Sequence, residues 1–284
     1  MLVVEAHMKK RPPAVAGLFY PGEPEQLRQM VDRLLAEAGA SETKVPGTPD
    51  SAQVTGDLRA VIVPHAGYIY SGSTAALAYA QLKTIADQVK HVVIVGPAHR
   101  VGIRAVALPD VDALSTPLGD VPLWPDGAKA ALAQPGVQIS ATVHAQEHSV
   151  EVQLPFLQAV VPDADILPLV AGWITPEVVA GVLEAVWALP GVFTVISSDL
   201  SHYHPYTQAQ RLDRATVGQI RDLDATIDHD QACGATGVDA ILLQARSHGL
   251  RPQVFGLCNS GDTAGDKAAV VGYAAVGFYG GVRP

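Results

Sequence analysis

Cysteine is scarce: Cys233 and Cys258 are the only two in 284 residues, and they form no CxxC pair. One bridge would be a poor framework for a chain of this size, so both are expected as reduced thiols. Basic clusters are also missing. No run of Lys and Arg exceeds Lys9-Lys10-Arg11, and 28 acidic against 19 basic residues leave a formal charge of −9. A nucleic-acid partner therefore has no electrostatic footprint in this chain. No apolar stretch reaches spanning length without Gly or polar interruption, which argues against a membrane segment. The opening MLVVEAHMKKR puts a short apolar run ahead of its basic residues, the reverse of a secretory signal. A cytoplasmic location is the expectation. GxxxxGK[ST], GxSxG, HExxH and GxGxxG are all absent, so nucleotide, esterase and zincin chemistries have no motif support.

What is present is an apolar share of 48%, enough for a substantial core, with no fixed-period repeat and no low-complexity segment. EPEQLRQMVDRLLAEAG carries Leu27, Met30, Val31, Leu34 and Leu35 at helical spacing, with Gly39 placed as a C-cap. The polar SETKVPGTPDSAQVTGD then reads as a surface connection. Beyond it, strand-like runs (LRAVIVP, HVVIVGP, IRAVALP, ADILPLVAG, VFTVISS, QVFGL, AAVVGYAAVGFY) interleave with helix-like ones. Such alternation predicts a three-layer α/β/α domain over 1–284, with a central, mostly parallel or mixed sheet. The strands are nearly continuous apolar runs, as expected where helices cover both sheet faces.

Several of these runs end on the same chemistry. VPHAGYIYSG places His65 after the first, GPAHR places His99 after the second, and SSDLSHYH places Asp199 and His202 after a third. In open α/β sheets ligands sit beyond the carboxyl ends of strands. Neutral imidazole is the commonest side-chain metal ligand, and two His plus one carboxylate leave open positions on a metal. His65 and His99 form the imidazole pair. The loop CNSGDTAGDK offers Asp262, Asp266 and Cys258 as a third ligand; Asp262 is preferred, although it reads equally as a cap of a Gly-rich turn. His202 has the character of a general base, with Asp199 close enough in sequence to orient its ring. QEHSVEVQLPFLQ predicts an amphipathic helix starting at Glu147 and His148, burying Val150, Leu154 and Leu157. Glu147 and Glu151 would then complement the helix dipole, and His148 is expected as a neutral catalytic-site residue.

Taken in order, AGLFYP, VPHAGYIYSG, GPAHR, EHSVEVQLPF, SSDLSHY and SGD…VVGYAA resemble the Memo family, whose prokaryotic members are called AmmeMemoRadiSam system protein B. That family is similar in turn to the LigB-type extradiol dioxygenases, which hold non-haem Fe(II) on two His and one acidic residue. The resemblance implies a LigB-like fold, His65 and His99 as metal ligands, and His202, beside Asp199, as the acid/base residue. Animal members place a cysteine near the C-terminus as third ligand, where this chain reads SGDT; Asp262 or Thr263 falls near that position, and Cys258 lies earlier. The function implied is a metal-binding redox enzyme with divalent iron or copper, acting on a small aromatic or otherwise oxidisable molecule. A metal-assisted hydrolase and a non-catalytic binding or scaffold protein are the alternatives, and AMMECR1-like and radical-SAM proteins are the pathway partners the resemblance implies.

Overall fold

The computed structural model of the protein describes residues 8–40 and 56–280. The polar connection expected around 41–57, and the start of the chain read for a signal sequence, lie largely outside the described residues. In chain order the strands are β1 (Lys10–Arg11), β2 (Asp57–Val63), β3 (His91–Pro97), β4 (Val106–Leu108), β5 (Ala113–Thr116), β6 (Gly119–Pro122), β7 (Val137–Ile139), β8 (Asp165–Ala171), β9 (Val192–Ser197), β10 (His202–His204), β11 (Arg251–Asn259) and β12 (Val270–Gly280). The helices are α1 (Pro24–Ala40), α2 (Tyr68–Leu82), α3 (Pro125–Leu132), α4 (Ala141–Ala145), α5 (Leu154–Val160), α6 (Pro176–Trp187), α7 (Tyr206–Arg221) and α8 (Ala235–His248).

The continuous apolar runs are explained by two cores. Because strand side chains alternate faces, Val61, Val63, Val92, Ile94, Ile166 and Val170 enter one core with the buried residues of α1, α2 and α5. Their neighbours Ala60, Ile62, Val93, Val95, Leu167 and Leu169 enter the other, under α3, α6, α7 and α8. The result is a three-layer α/β/α arrangement in which each strand serves both faces. No helix among the described residues is long and apolar enough to cross a membrane.

The main sheet is mixed, in the order β10-β12-β2-β9-β3-β8-β4-β7, with β11 also paired to β12. Its centre, β2-β9-β3-β8, is parallel throughout. Register places Val63 opposite Ser197 and Pro97 opposite Ala171, so these four strands end nearly level. Their carboxyl ends present the turns that carry His65, His99 and Asp199 along one edge. A smaller sheet, β1-β5-β6, is built from segments that the hydrophobic pattern did not single out as strands.

The expected helix from Glu147 does not begin there. α4 ends at Ala145, His148 lies in an irregular turn, and a single 3-10 turn over Glu151–Gln153 leads into α5. The apolar spacing was sound, since Val150, Leu154 and Leu157 are all buried. What overrides the helical start is the demand of two buried carboxylates on the backbone around them. Glu151 has no dipole to complement at the surface: it is fully buried and paired with the guanidinium of Arg11. It also accepts from the amides of Ala14 (2.8 Å) and Val15 (3.0 Å) and the hydroxyl of Tyr20 (2.7 Å). Arg11 in turn donates to the carbonyls of His144 (2.7 Å) and Glu147 (3.1 Å), tying the N-terminal segment to the turn that carries His148.

Removing one partner of a buried ion pair leaves the other charge uncompensated, at a cost of about 3–5 kcal/mol. Arg11→Met should lose stability in that range in urea unfolding, and Arg11→Met combined with Glu151→Leu should recover part of the loss. A single-variant loss below about 1 kcal/mol, the scale of one ordinary hydrogen bond, would show that the network does not hold this turn.

Candidate metal centre

His65 leaves the end of β2 behind Pro64 and is almost fully buried. Its backbone amide donates to Asp199 Oδ1 at 2.8 Å, and its ring Nδ1 meets Ser197 Oγ at 2.9 Å. The tautomer follows from the neighbours of that hydroxyl. Ser197 has one hydrogen, given to the carbonyl of Ser149 at 2.6 Å, so Oγ can only accept from the ring. Nδ1 therefore carries the proton, and the lone pair of His65 is on Nε2.

His99 follows β3 and is held by Glu147 in two places. Its amide donates to Oε2 at 2.6 Å and its Nδ1 meets Oε1 at 2.9 Å. Burial opposes the charge on Glu147, but the bonds from the His99 ring and amide and from the Ser149 amide outweigh it and hold its pKa at about 2. An ionised carboxylate only accepts, so the His99 lone pair is also on Nε2. A carboxylate behind the far nitrogen of an imidazole is the arrangement that orients and strengthens a metal ligand.

His148 completes the cluster. Its ring stacks on His99, with centroids 4.6 Å apart and planes 26° from parallel, and lies 5.4 Å from the His65 ring. Phe19 packs against it from the AGLFYP segment at 4.7 Å. Its Nδ1 is buried, makes no hydrogen bond among the described residues and lies 3.3 Å from Glu147 Oε1. Burial, followed by repulsion from His99, lowers its pKa to about 4, and the same two effects hold His65 well below the ordinary value. Ligand nitrogens of His65, His99 and His148 all lie within 4.8 Å of one another. Three imidazoles this close together, with Ser197 behind Nδ1 of His65 and Glu147 behind Nδ1 of His99, fit a divalent first-row metal.

The other expected site residues fall into two groups. His202 and Asp199 are at the same edge, but not as a pair. The Asp199 carboxylate turns back to the strand end and accepts from the backbone of His65 and Ala66. Burial pushes its pKa up to about 7 against those bonds. The ring of His202 is oriented instead by the Leu200 carbonyl, which accepts from Nδ1 at 2.8 Å and leaves Nε2 as the basic nitrogen. Burial lowers the His202 pKa, and His99 lies near enough to add repulsion. His202 stands where β10 slips register against β12, next to Tyr203 in the left-handed region at φ 62°. Such a bulge re-aims the side chains beside it.

Asp262 is not in the cluster. It is exposed, accepts from the amide of Asn259 at 3.0 Å and from the Tyr206 hydroxyl, and closes a capping box on a short 3-10 turn. The cap reading of this Asp describes its contacts, and the third residue of the cluster is His148. Nor do its neighbours enter: Thr263 donates to the Ser260 carbonyl, and Cys258 meets Thr74 Oγ1 at 3.0 Å. Sequence reasoning missed Glu147 as the anchor of His99, although it adjoins His148 in the EHS segment, and it missed Ser197, which carries no distinguishing pattern.

A model of the Memo-like protein family matches residues 11–277. A MEMO1 family protein of Desulfurococcus amylolyticus is 32% identical over 286 residues, covering 96% of this chain and all of the relative. MEMO1 family proteins of Metallosphaera sedula (36% over 288 residues) and Ignicoccus hospitalis (36% over 290 residues) each cover 95% of this chain and 99% of their own. Likeness of this extent makes the chain a member of the Memo family.

Proposed function

We propose that this Memo-family chain is a metal-dependent redox enzyme, similar to the extradiol dioxygenases, that holds divalent iron or copper on His65, His99 and His148 and acts on a small aromatic substrate. The observation that carries the reading is the clustering of three imidazoles, two of them following level strand ends, with Glu147 behind one of those two. The metal would supply a Lewis-acidic, redox-active centre with positions left for substrate and dioxygen.

The protein's own residues divide the remaining work. Glu147 keeps the His99 ring in one orientation and tautomer, and Ser197 does the same for His65. His202 offers Nε2 as a base for a substrate hydroxyl proton, with Nδ1 already committed to Leu200. Asp199 holds the turn between β2 and α2 in place through backbone amides. Ile69, Val101, Trp173 and Tyr203 are exposed in the segments that follow the four central strands and add apolar surface there. One observation favours a second reading, metal-assisted hydrolysis: the third donor is a neutral imidazole in place of a carboxylate, a set known to generate hydroxide on zinc.

Metal content is the first test. His65→Ala and His148→Ala should each remove most bound iron or copper, Asp262→Ala should retain it, and Glu147→Gln should weaken affinity about 10–100-fold. Full occupancy in the two histidine variants would remove the site. Protons compete with metal only where they bind the free ligands. With the His148 pKa near 4, uptake should therefore persist through mildly acidic pH and fall as pH approaches that value. A midpoint above about 6.5, the ordinary histidine pKa, would contradict the lowered pKa of His148.

Chemistry is tested separately. Anaerobically loaded protein should consume dioxygen over a panel of catechols and small phenols, and His202→Ala should keep its metal while losing about 10²–10⁴ in rate. Turnover of esters or amides with no oxygen uptake would favour hydrolysis, and silence on both panels would favour a binding protein.

A further inference from the structure

His65 and His99 are held at Nδ1 by groups of different kinds. Behind His99 stands an ionised carboxylate, which can only accept. Behind His65 stands the Ser197 hydroxyl, which by itself can accept or donate. A hydroxyl that turned its hydrogen to Nδ1 would put the ring's own hydrogen on Nε2, because the bond made by one imidazole nitrogen sets which nitrogen is left for metal. The choice at Ser197 is closed by its two other neighbours. The Ser149 carbonyl takes the hydroxyl hydrogen at 2.6 Å, and Gln153 Nε2 donates to Oγ at 2.8 Å.

The direction of the Gln153 amide is itself fixed. Its Nε2 also lies 3.0 Å from the Pro64 carbonyl, which only accepts, so this end of the side chain is the NH2 group. Both amide hydrogens are thereby used on two neighbouring strand ends, one on the residue directly before His65 and one on Ser197 at the end of β9. The other end, Oε1, accepts from the Tyr79 hydroxyl of α2 at 2.8 Å. Tyr79, Gln153 and Ser197 are all fully buried, so bulk water does not compete for these bonds.

We propose that Gln153 is a positioning residue for His65: its amide, aimed by Pro64 and Tyr79, commits Ser197 to accept from Nδ1 and so keeps Nε2 free for metal. This rests on the three-histidine metal reading. Without that donor, Oγ is held by Ser149 alone, and the hydroxyl can swing its hydrogen onto Nδ1. The ring then gives its Nδ1 hydrogen to solvent and takes one at Nε2, with no change of charge and no lone pair left toward the cluster.

The test uses the full chain free of metal, labelled with nitrogen-15 in histidine, at neutral pH. Long-range proton–nitrogen correlation separates a ring nitrogen that carries hydrogen from one that does not, and His65→Ala identifies the His65 pair. Co(II) titration of the same samples measures affinity. Wild type should show hydrogen on Nδ1 and a bare Nε2. Gln153→Met, of similar size without the donors, should draw the two signals together as the second tautomer becomes populated. It should also weaken Co(II) binding about tenfold or more, the scale of a lost partner behind a metal ligand. Tyr79→Phe should move both readouts the same way by less. Tyr68→Phe is the control: it removes another buried hydroxyl of α2, bonded to the Val152 carbonyl, and should leave both unchanged. Hydrogen on Nε2 in wild type, or an unaltered tautomer in Gln153→Met, would overturn the proposal. An equal shift in Tyr68→Phe would reduce the effect to packing and overturn it too. Should Gln153→Met fail to fold, Tyr79→Phe decides, and unchanged signals there would sink the relay. No cobalt uptake by a wild type with a bare Nε2 would bring down the three-histidine reading, and the part of Gln153 in metal binding with it, while the tautomer assignment stands.

Discussion

A carboxylate with no access to solvent organises this protein's functional edge. Glu147 accepts from the ring and the amide of His99 and from the amide of Ser149, so one ionised group joins the end of β3 to a turn more than forty residues away in sequence. Burying a charge is costly unless hydrogen bonds compensate it. The compensation here comes from backbone and imidazole donors that are thereby fixed in place. His148 sits beside Glu147 in the same turn, so the carboxylate that orients one imidazole also positions a second.

The second buried carboxylate, Glu151, gives this turn its frame. Four residues after Glu147, it faces the N-terminal segment and not the site, and gathers Arg11, Tyr20 and two backbone amides. Arg11 closes the loop by binding carbonyls of the same turn from the other side. The turn is consequently held from both directions, and its irregular backbone, which exposes no helical dipole to either Glu, is the consequence of satisfying both charges at once.

Burial also sets the chemistry of the imidazoles. His65 and His148 favour the neutral form, because a charge on either buried ring would be desolvated and repelled by its neighbours. A nitrogen held neutral keeps its lone pair, which is what a metal ligand requires. Asp199 follows the same rule with the opposite sign: burial disfavours its carboxylate and pushes the pKa up to about 7, and backbone amides partly counter the effect.

The layered fold was legible in the sequence because its cause is local. Apolar runs of strand length and amphipathic helices declare themselves within a few residues, and the repeated placement of His65, His99 and Asp199 just after such runs marked the functional edge. His202 was legible at the same edge for the same reason, since its place follows from the end of β9. The partners of these groups were not. Asp199 is three residues from His202 yet bonds to the His65 backbone, and Asp262, a plausible carboxylate ligand by type, caps its own turn. His148 became a member of the cluster, and Cys233 came to face His65, through contacts between segments far apart in the chain. Sequence by itself determined the layers and the edge at which chemistry would gather, because hydrophobic period and strand length are properties of consecutive residues. Which side chains meet there was decided only by the tertiary structure, because hydrogen-bond satisfaction of buried charges depends on groups that the fold brings together in space.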